Sequence, residues 1–149
     1  MRALIQRVTE ARVRVDGQVV GSCGPGLLVL LGAGRGDDSR DAAWLAKKTA
    51  RLRVFPDGQG KLNLDLSQAG GAALVVSQFT LYADCRQGNR PGFDQAAPAE
   101  TARRLYEEYA AGLAQWGVAV ETGVFQAHMQ VELINDGPVT IMLESPAHS

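Results

Sequence analysis

At 149 residues, with 46% hydrophobic and 21% charged residues, the chain has the size of one soluble globular domain with a sizeable core, and it lacks the long apolar run of a membrane helix. A formal net charge of −1 excludes a surface that is basic throughout, so any nucleic-acid contact is expected to be small and local, and the clusters Lys47, Lys48, Arg51 and Arg53, and Arg86 and Arg90, read as solvated faces. Two isolated cysteines, Cys23 and Cys85, with no CxxC pair and no secretion signal, predict a reduced, cytoplasmic setting.

Residues 4–15 alternate polar and apolar positions and end at Asp16-Gly17, which predicts a strand and a type I′ turn into a second strand at 18–23. After the breaker Gly24-Pro25-Gly26, the five apolar residues at 27–31 predict a strand buried on both faces. Asp38 or Ser39 can cap a helix running to about Leu52, with Ala42, Leu45, Ala46 and Thr49 inward. Short strands are expected at 53–55 and, as a half-buried strand or extended arm, at 61–66. Residues 72–79 predict a strand that begins apolar and turns polar. The aperiodic 83–97 stretch predicts a long loop, of the kind that more often carries function than mere connection. Pro98 suits the start of a helix whose inner face is Ala102, Leu105, Tyr106, Tyr109, Leu113 and Trp116, ending at Gly117, and a strand follows at 118–122.

The last stretch, 129–144, holds Met129, Val131 and Leu133, then Val139, Ile141 and Leu143, on either side of Asn135-Asp136-Gly137-Pro138. This pattern predicts two strands with a chain reversal between them. Gly137-Pro138 fits an ordinary tight turn or a bulge with unusual geometry, since Gly tolerates positive φ and an X-Pro bond can be cis. No repeat or linker divides the chain. The expected fold is α+β: a single strand-rich domain over 1–149, barrel-like or of packed sheets, with two main helices.

Most catalytic signatures are absent from the sequence. There is no Gly-x-Ser-x-Gly elbow, phosphate-binding loop, zinc-protease helix motif or dinucleotide fingerprint, and the histidines are His128 and His148, the second in a tail expected to fray. Nothing near Cys85 marks an activated thiolate. An enzyme built this way would work by positioning and electrostatics, or would borrow a reacting group from its substrate. The stretch Ser77, Gln78, Phe79 and Thr80 supplies hydroxyls and an amide where an apolar strand runs out beside a long loop, as a small-molecule pocket requires; Ser77 and Thr80 could equally satisfy backbone groups there.

Read together, the SQFTL at 77–81 and the NDGPVT at 135–140 resemble the two signature motifs of the D-aminoacyl-tRNA deacylases. The resemblance extends to ALIQRV at 3–8, GLLVLLG at 26–32, KLNL at 61–64, QAGG at 68–71, Arg90-Pro91, and the spaced Phe125, Ala127 and Met129. It implies a homodimeric hydrolase of the ester between a D-amino acid, or glycine, and the 3′ end of tRNA, acting in the cytoplasm without a cofactor, a metal or a membrane. By the same resemblance Ser77, Gln78, Phe79 and Thr80 form the catalytic wall. Phe125 and Met129 frame the pocket, and Arg7 braces a cis Gly137-Pro138 pair whose carbonyls reach the partner's site. His128 stands where an acid is common, Gln126 where a small residue is common, and Gly92 where serine often follows Arg-Pro. The alternatives are a non-catalytic module that binds tRNA ends or D-amino acids, and an esterase that uses Thr80 as its nucleophile.

Overall fold

A computed structural model describes residues 1–148. β1 (Arg2–Val15) turns through Asp16 and Gly17, at φ of 50° and 78°, into β2 (Gln18–Cys23), the two positive values that a type I′ turn needs. β3 (Gly26–Gly32) pairs antiparallel with the first half of β1. On its other edge β3 pairs in parallel with β6 (Ala72–Ser77), which pairs in parallel with β7 (Ala119–Thr122). Parallel neighbours need crossovers. The first carries α1 (Ser39–Arg51) and the small ribbon of β4 (Phe55–Pro56) and β5 (Leu62–Leu64), and the second carries α2 (Ala99–Gln115).

The apolar residues of β3 and β6 split by parity. Leu27, Val29, Ala73 and Val75 join Ile5, Leu45, Leu105, Tyr109 and Leu113 in the larger core, between sheet and helices. Leu28, Leu74 and Val76 face the other way, with Val8, Ala11 and Val13. Both faces are therefore buried, as the unbroken apolar run of β3 predicts. The sheet curls until β2 approaches β7: the Ser22 N–H donates to Glu121 Oε1 at 2.9 Å, and a Cβ on Gly21 would stand 2.3 Å from the Thr122 carbonyl oxygen. The result is a nearly closed, barrel-like sheet with both helices outside it. The helices lock together where the fully buried Tyr109 hydroxyl donates to Thr49 Oγ1 at 2.8 Å. Beside it Gly112 lets the backbones close in, since an added Cβ would lie 2.8 Å from that of Ala46.

Four expectations are corrected. The 129–144 stretch does not reverse: β8 (Gln130–Glu144) is one strand, antiparallel to β1 from Arg14↔Gln130 to Arg2↔Glu144. The turn chemistry at 135–138 serves an outward bulge instead, because Asn135 pairs with Val8 while Thr140 already pairs with Gln6. Trp116 is 43% exposed, its ring lying against Lys47 and Arg51 rather than in the core. The 61–66 segment is a strand only over Leu62–Leu64, because the Asp57 carboxylate accepts from the Gln59 and Lys61 N–H groups and the Asn63 amide, folding the segment tightly back. His148 is docked, with Nε2 2.6 Å from Asp41 Oδ2.

α1 begins with a reciprocal cap: the Asp38 carboxylate accepts from the Arg40 N–H, and the Asp41 carboxylate from the Asp38 N–H, each at 2.9 Å. Asp41 is 2% exposed. Burial pushes its carboxyl up, but Ser145, His148, the Asp38 N–H and the N-terminal charge outweigh burial and leave it below the usual carboxylate range. A depressed carboxyl stabilises the fold above its unfolded pKa, near 3.8, and that contribution is lost as pH falls through the folded value. Asp41→Asn should therefore lower the melting temperature by about 2–6 °C at pH 7. In thermal melts taken across pH, the gap to the wild type should begin to narrow near pH 4 and close as the pH falls through the lower folded value.

Candidate functional site

A cavity of about 570 Å³ opens where β6 runs out. Val76, Ser77 and Gln78 form one wall, followed by Phe79 at the start of a 3₁₀ turn (Phe79–Tyr82). Ala96 and Ala97 of the long loop, and Ala99 and Ala102 of the first turn of α2, form the second wall; these small side chains leave the room. The connection from β7 to β8 supplies Phe125, Gln126, Ala127, His128 and Met129, and Val131 of β8 closes the floor. Tyr106 holds the corner, with its hydroxyl donating to the Val75 carbonyl at 3.3 Å and its ring 5.9 Å from that of Phe125. Burial pushes its phenol up, so it stays protonated and keeps donating. Gly123 leaves space for the Met129 sulfur, which would lie 2.7 Å from an added Cβ.

At the 3₁₀ turn the Phe79 and Thr80 N–H groups meet no backbone acceptor among the described residues; the turn's first bond is from Leu81 N to the Gln78 carbonyl. Two free donors at the cavity's edge can receive an oxygen that gains negative charge. Phe79 is held by the long loop, its ring 4.9 Å from that of Phe93 in an edge-on arrangement. The Gln78 side-chain amide donates to the Thr80 hydroxyl. His128 lines the cavity, yet among the described residues it exchanges no hydrogen bond with a hydroxyl or a carboxylate, so neither Ser77 nor Thr80 has a base. Gln126 sits at φ 66°, a backbone position that favours a residue without a Cβ.

The bulge of β8 is a second centre. Asn135 spans it with its side chain, Oδ1 accepting from the Val139 N–H at 2.8 Å and Nδ2 donating to the Val139 carbonyl at 3.1 Å. The side-chain amide thus stands in for a peptide group, and the three residues between are pushed outward. Arg7, only 9% exposed, faces the bulge from β1: Nε donates to the Asp136 carbonyl at 2.9 Å and Nη1 to the Val54 carbonyl at 2.7 Å. The Asp136 carboxylate lies 3.6 Å from Arg7 Nε. Gly137 is at φ 146°, where an added Cβ would stand 2.8 Å from Val139 Cγ2 and 3.2 Å from Arg7 Nη2. The Gly137-Pro138 bond is cis, and both residues are exposed.

Ser77, Gln78, Phe79, Phe125 and Met129 thus meet around one cavity. Thr80 sits just outside its lining, and Arg7, Gly137 and Pro138 form a separate cluster of the same chain. The sequence did not single out Tyr106 or Asn135 for these roles. Tyr106 read as plain helix core, although a buried tyrosine always needs a partner for its hydroxyl. Asp38, Asp41 and His148 have ligand atoms within 4.8 Å of one another, but they serve the helix cap and the tail, and none of them lines the cavity.

Fold and site together define an α+β protein with a half-open, mostly apolar cavity at the end of a central strand. Residues 4–144 match the family model described as D-Tyr-tRNA(Tyr) deacylase. A relative from Heliobacterium modesticaldum, named D-aminoacyl-tRNA deacylase, is 61% identical over 144 residues, covering 97% of this chain and 96% of its own. Among solved structures, one titled c-Myc DNA Unwinding Element Binding Protein superposes with a TM-score of 0.92 at 40% identity, over 99% of this chain and 100% of that one. A probable eukaryotic D-amino acid tRNA deacylase shares the fold at a TM-score of 0.80 and 16% identity, over 96% and 98% of the two chains. The chain belongs to the D-Tyr-tRNA(Tyr) deacylase family.

The brace generates a prediction. Arg7→Lys keeps the charge but cannot reach both carbonyls as a guanidinium does, and the buried Val54 carbonyl left unpaired costs about 1–3 kcal/mol. Arg7→Ala and Asn135→Ala act on one bulge, so in a double-mutant cycle read by chemical denaturation their effects should miss additivity by about 0.5–3 kcal/mol. Simple addition would mean that the two side chains hold the bulge independently.

Proposed function

We propose that the protein hydrolyses the ester joining a D-amino acid to the terminal adenosine of tRNA, removing mischarged D-aminoacyl-tRNA in the cytoplasm. The observation that carries this reading is the cavity at the end of β6, where Ser77, Gln78 and two free N–H groups meet an apolar pocket with no paired base, within a chain of the deacylase family. An aminoacyl ester is already activated, so positioning and oxyanion binding are a sufficient contribution from the protein. Ser77, Gln78, Phe79 and Thr80 act at the scissile ester, with the Phe79 and Thr80 N–H groups as oxyanion donors. Phe125 and Met129 flank the adenosine or the amino acid. The reaction needs no cofactor, and the whole chain acts as one domain.

The working unit in this reading is a two-fold homodimer in which Gly137 and Pro138 reach the partner's cavity. β8 supports it: its edge away from β1 pairs with no strand among the described residues. Its outward residues Ile134 and Met142 are 54% and 46% exposed beside the bulge. The carbonyls of Gly137 and Pro138, in the bulge that Arg7 braces through Asp136, can fix the substrate's α-amino group in one direction. A D side chain then points to solvent, an L side chain meets the wall, and glycine has nothing to collide. Selection by direction rather than by fit accepts many D-amino acids. Each clash or unpaired polar group is worth about 1–3 kcal/mol, and each 1.4 kcal/mol is tenfold, so several acting together give at least about 1000-fold rejection.

A panel of D-Tyr, D-Asp, L-Tyr and Gly esters on tRNA tests this. D-Tyr and D-Asp should be released at rates within about tenfold of each other, Gly should be accepted, and L-Tyr should lag by about 1000-fold. Binding of all four without turnover would favour a non-catalytic module, and fast L-Tyr release would contradict selection by direction.

A further inference from the structure

The outer face of α1 carries Trp44, Lys47, Lys48 and Arg51 at i, i+3, i+4 and i+7, all exposed. Elsewhere the exposed Arg40, Arg86 and Arg104 and the half-buried Arg2 and Arg14 are paired with carboxylates, while the other exposed arginines without an ion pair, Arg35, Arg53, Arg90 and Arg103, have no exposed tryptophan against them. On this face none of the three cations has a carboxylate within ion-pair distance among the described residues. Their neighbours are two exposed indoles: Lys48 Nζ lies 5.2 Å from the Trp44 ring, while Lys47 Nζ and the Arg51 guanidinium lie 5.9 and 5.6 Å from that of Trp116. A helix C-terminus favours cations, which accounts for Lys48 and Arg51 but not for two tryptophans left 36% and 43% exposed. A chain of net charge −1 thus sets three unpaired cations and two exposed indoles side by side on one face.

We propose that this face, Trp44, Lys47, Lys48 and Arg51 with Trp116, is a second contact for the RNA substrate, gripping its sugar-phosphate backbone away from the ester. The proposal rests on the tRNA reading above. Cations meet phosphates, and exposed indoles stack on bases or bind a backbone already neutralised by Lys and Arg. Placement fits as well. Ala99 and Ala102, at the start of α2, line the cavity, and Trp116 caps the other end of that helix. Seventeen helical residues separate the two by about 25 Å, too far for the terminal nucleotide but within reach of the backbone several nucleotides upstream.

The test is direct binding of uncharged, end-labelled tRNA, read by fluorescence anisotropy across salt concentrations, beside a 3′-terminal tetranucleotide. Lys47→Ala/Lys48→Ala/Arg51→Ala should weaken tRNA binding about tenfold at low salt and flatten the plot of log affinity against log salt by about 2. The loss on tRNA should exceed that on the tetranucleotide at least fivefold. The charge-preserving Lys47→Arg/Lys48→Arg variant should retain binding, and Trp116→Ala should weaken it with the salt slope unchanged. Equal tRNA affinity and slope for the triple variant and the wild type would overturn the proposal, as would equal losses on tRNA and tetranucleotide. Because binding is read without turnover, a protein that grips tRNA through this face yet releases no amino acid would indict the hydrolase reading and not the surface.

Discussion

The pairing of β1 with β8 is the constraint on which the site depends. It runs nearly the whole length of both strands, and within it β8 must accommodate residues that β1 does not match. A one-residue slip in a sheet sends every side chain to the wrong face. Here the mismatch is absorbed locally, because Asn135 closes the bulge with its own amide and Arg7 ties the bulge to the Val54 carbonyl beneath it. Beyond the bulge, Val139, Ile141 and Leu143 pack against the larger core, while Val131 and Leu133 before it pack against the second cluster. The same device sets Gly137 and Pro138 on the surface.

The cavity follows from a second constraint, the crossovers that parallel β3, β6 and β7 require. They bring the start of α2 and the β7-to-β8 connection to the end of β6, so polar groups at a strand end meet small residues at a helix start. Tyr106 links the two with one hydrogen bond and one ring contact.

Much of this was legible in the sequence where local chemistry decides the outcome. Asp16-Gly17 specifies its turn, the apolar run of β3 specifies burial on both faces, and Asp38 specifies the start of α1. The motifs around Ser77 and Gly137 pointed to the family that the comparisons established. What the sequence hid is long-range. The same four residues, 135–138, suit a reversal or a bulge, and only the presence of β1 along both halves of β8 selects the bulge. Trp116 continues the inner stripe of α2 in sequence, yet the helix outruns the core by that turn, and nothing local signals where the core ends.

The chemistry proposed for this site has a definite gap, since an ester is hydrolysed with no side chain placed to take a proton from water. The adenosine's own 2′-hydroxyl, adjacent to the ester, can fill that gap, and Thr80 is the side chain that would otherwise have to. The most direct measurement is single-turnover hydrolysis of D-tyrosyl-tRNA ending in adenosine or in 2′-deoxyadenosine, by the wild type and by Thr80→Ala. The account predicts that the missing 2′-hydroxyl slows release by about 100-fold or more, while Thr80→Ala stays within about tenfold of the wild type. Normal hydrolysis of the deoxy substrate, with an inactive Thr80→Ala enzyme, would place the catalytic group on the protein and contradict the account.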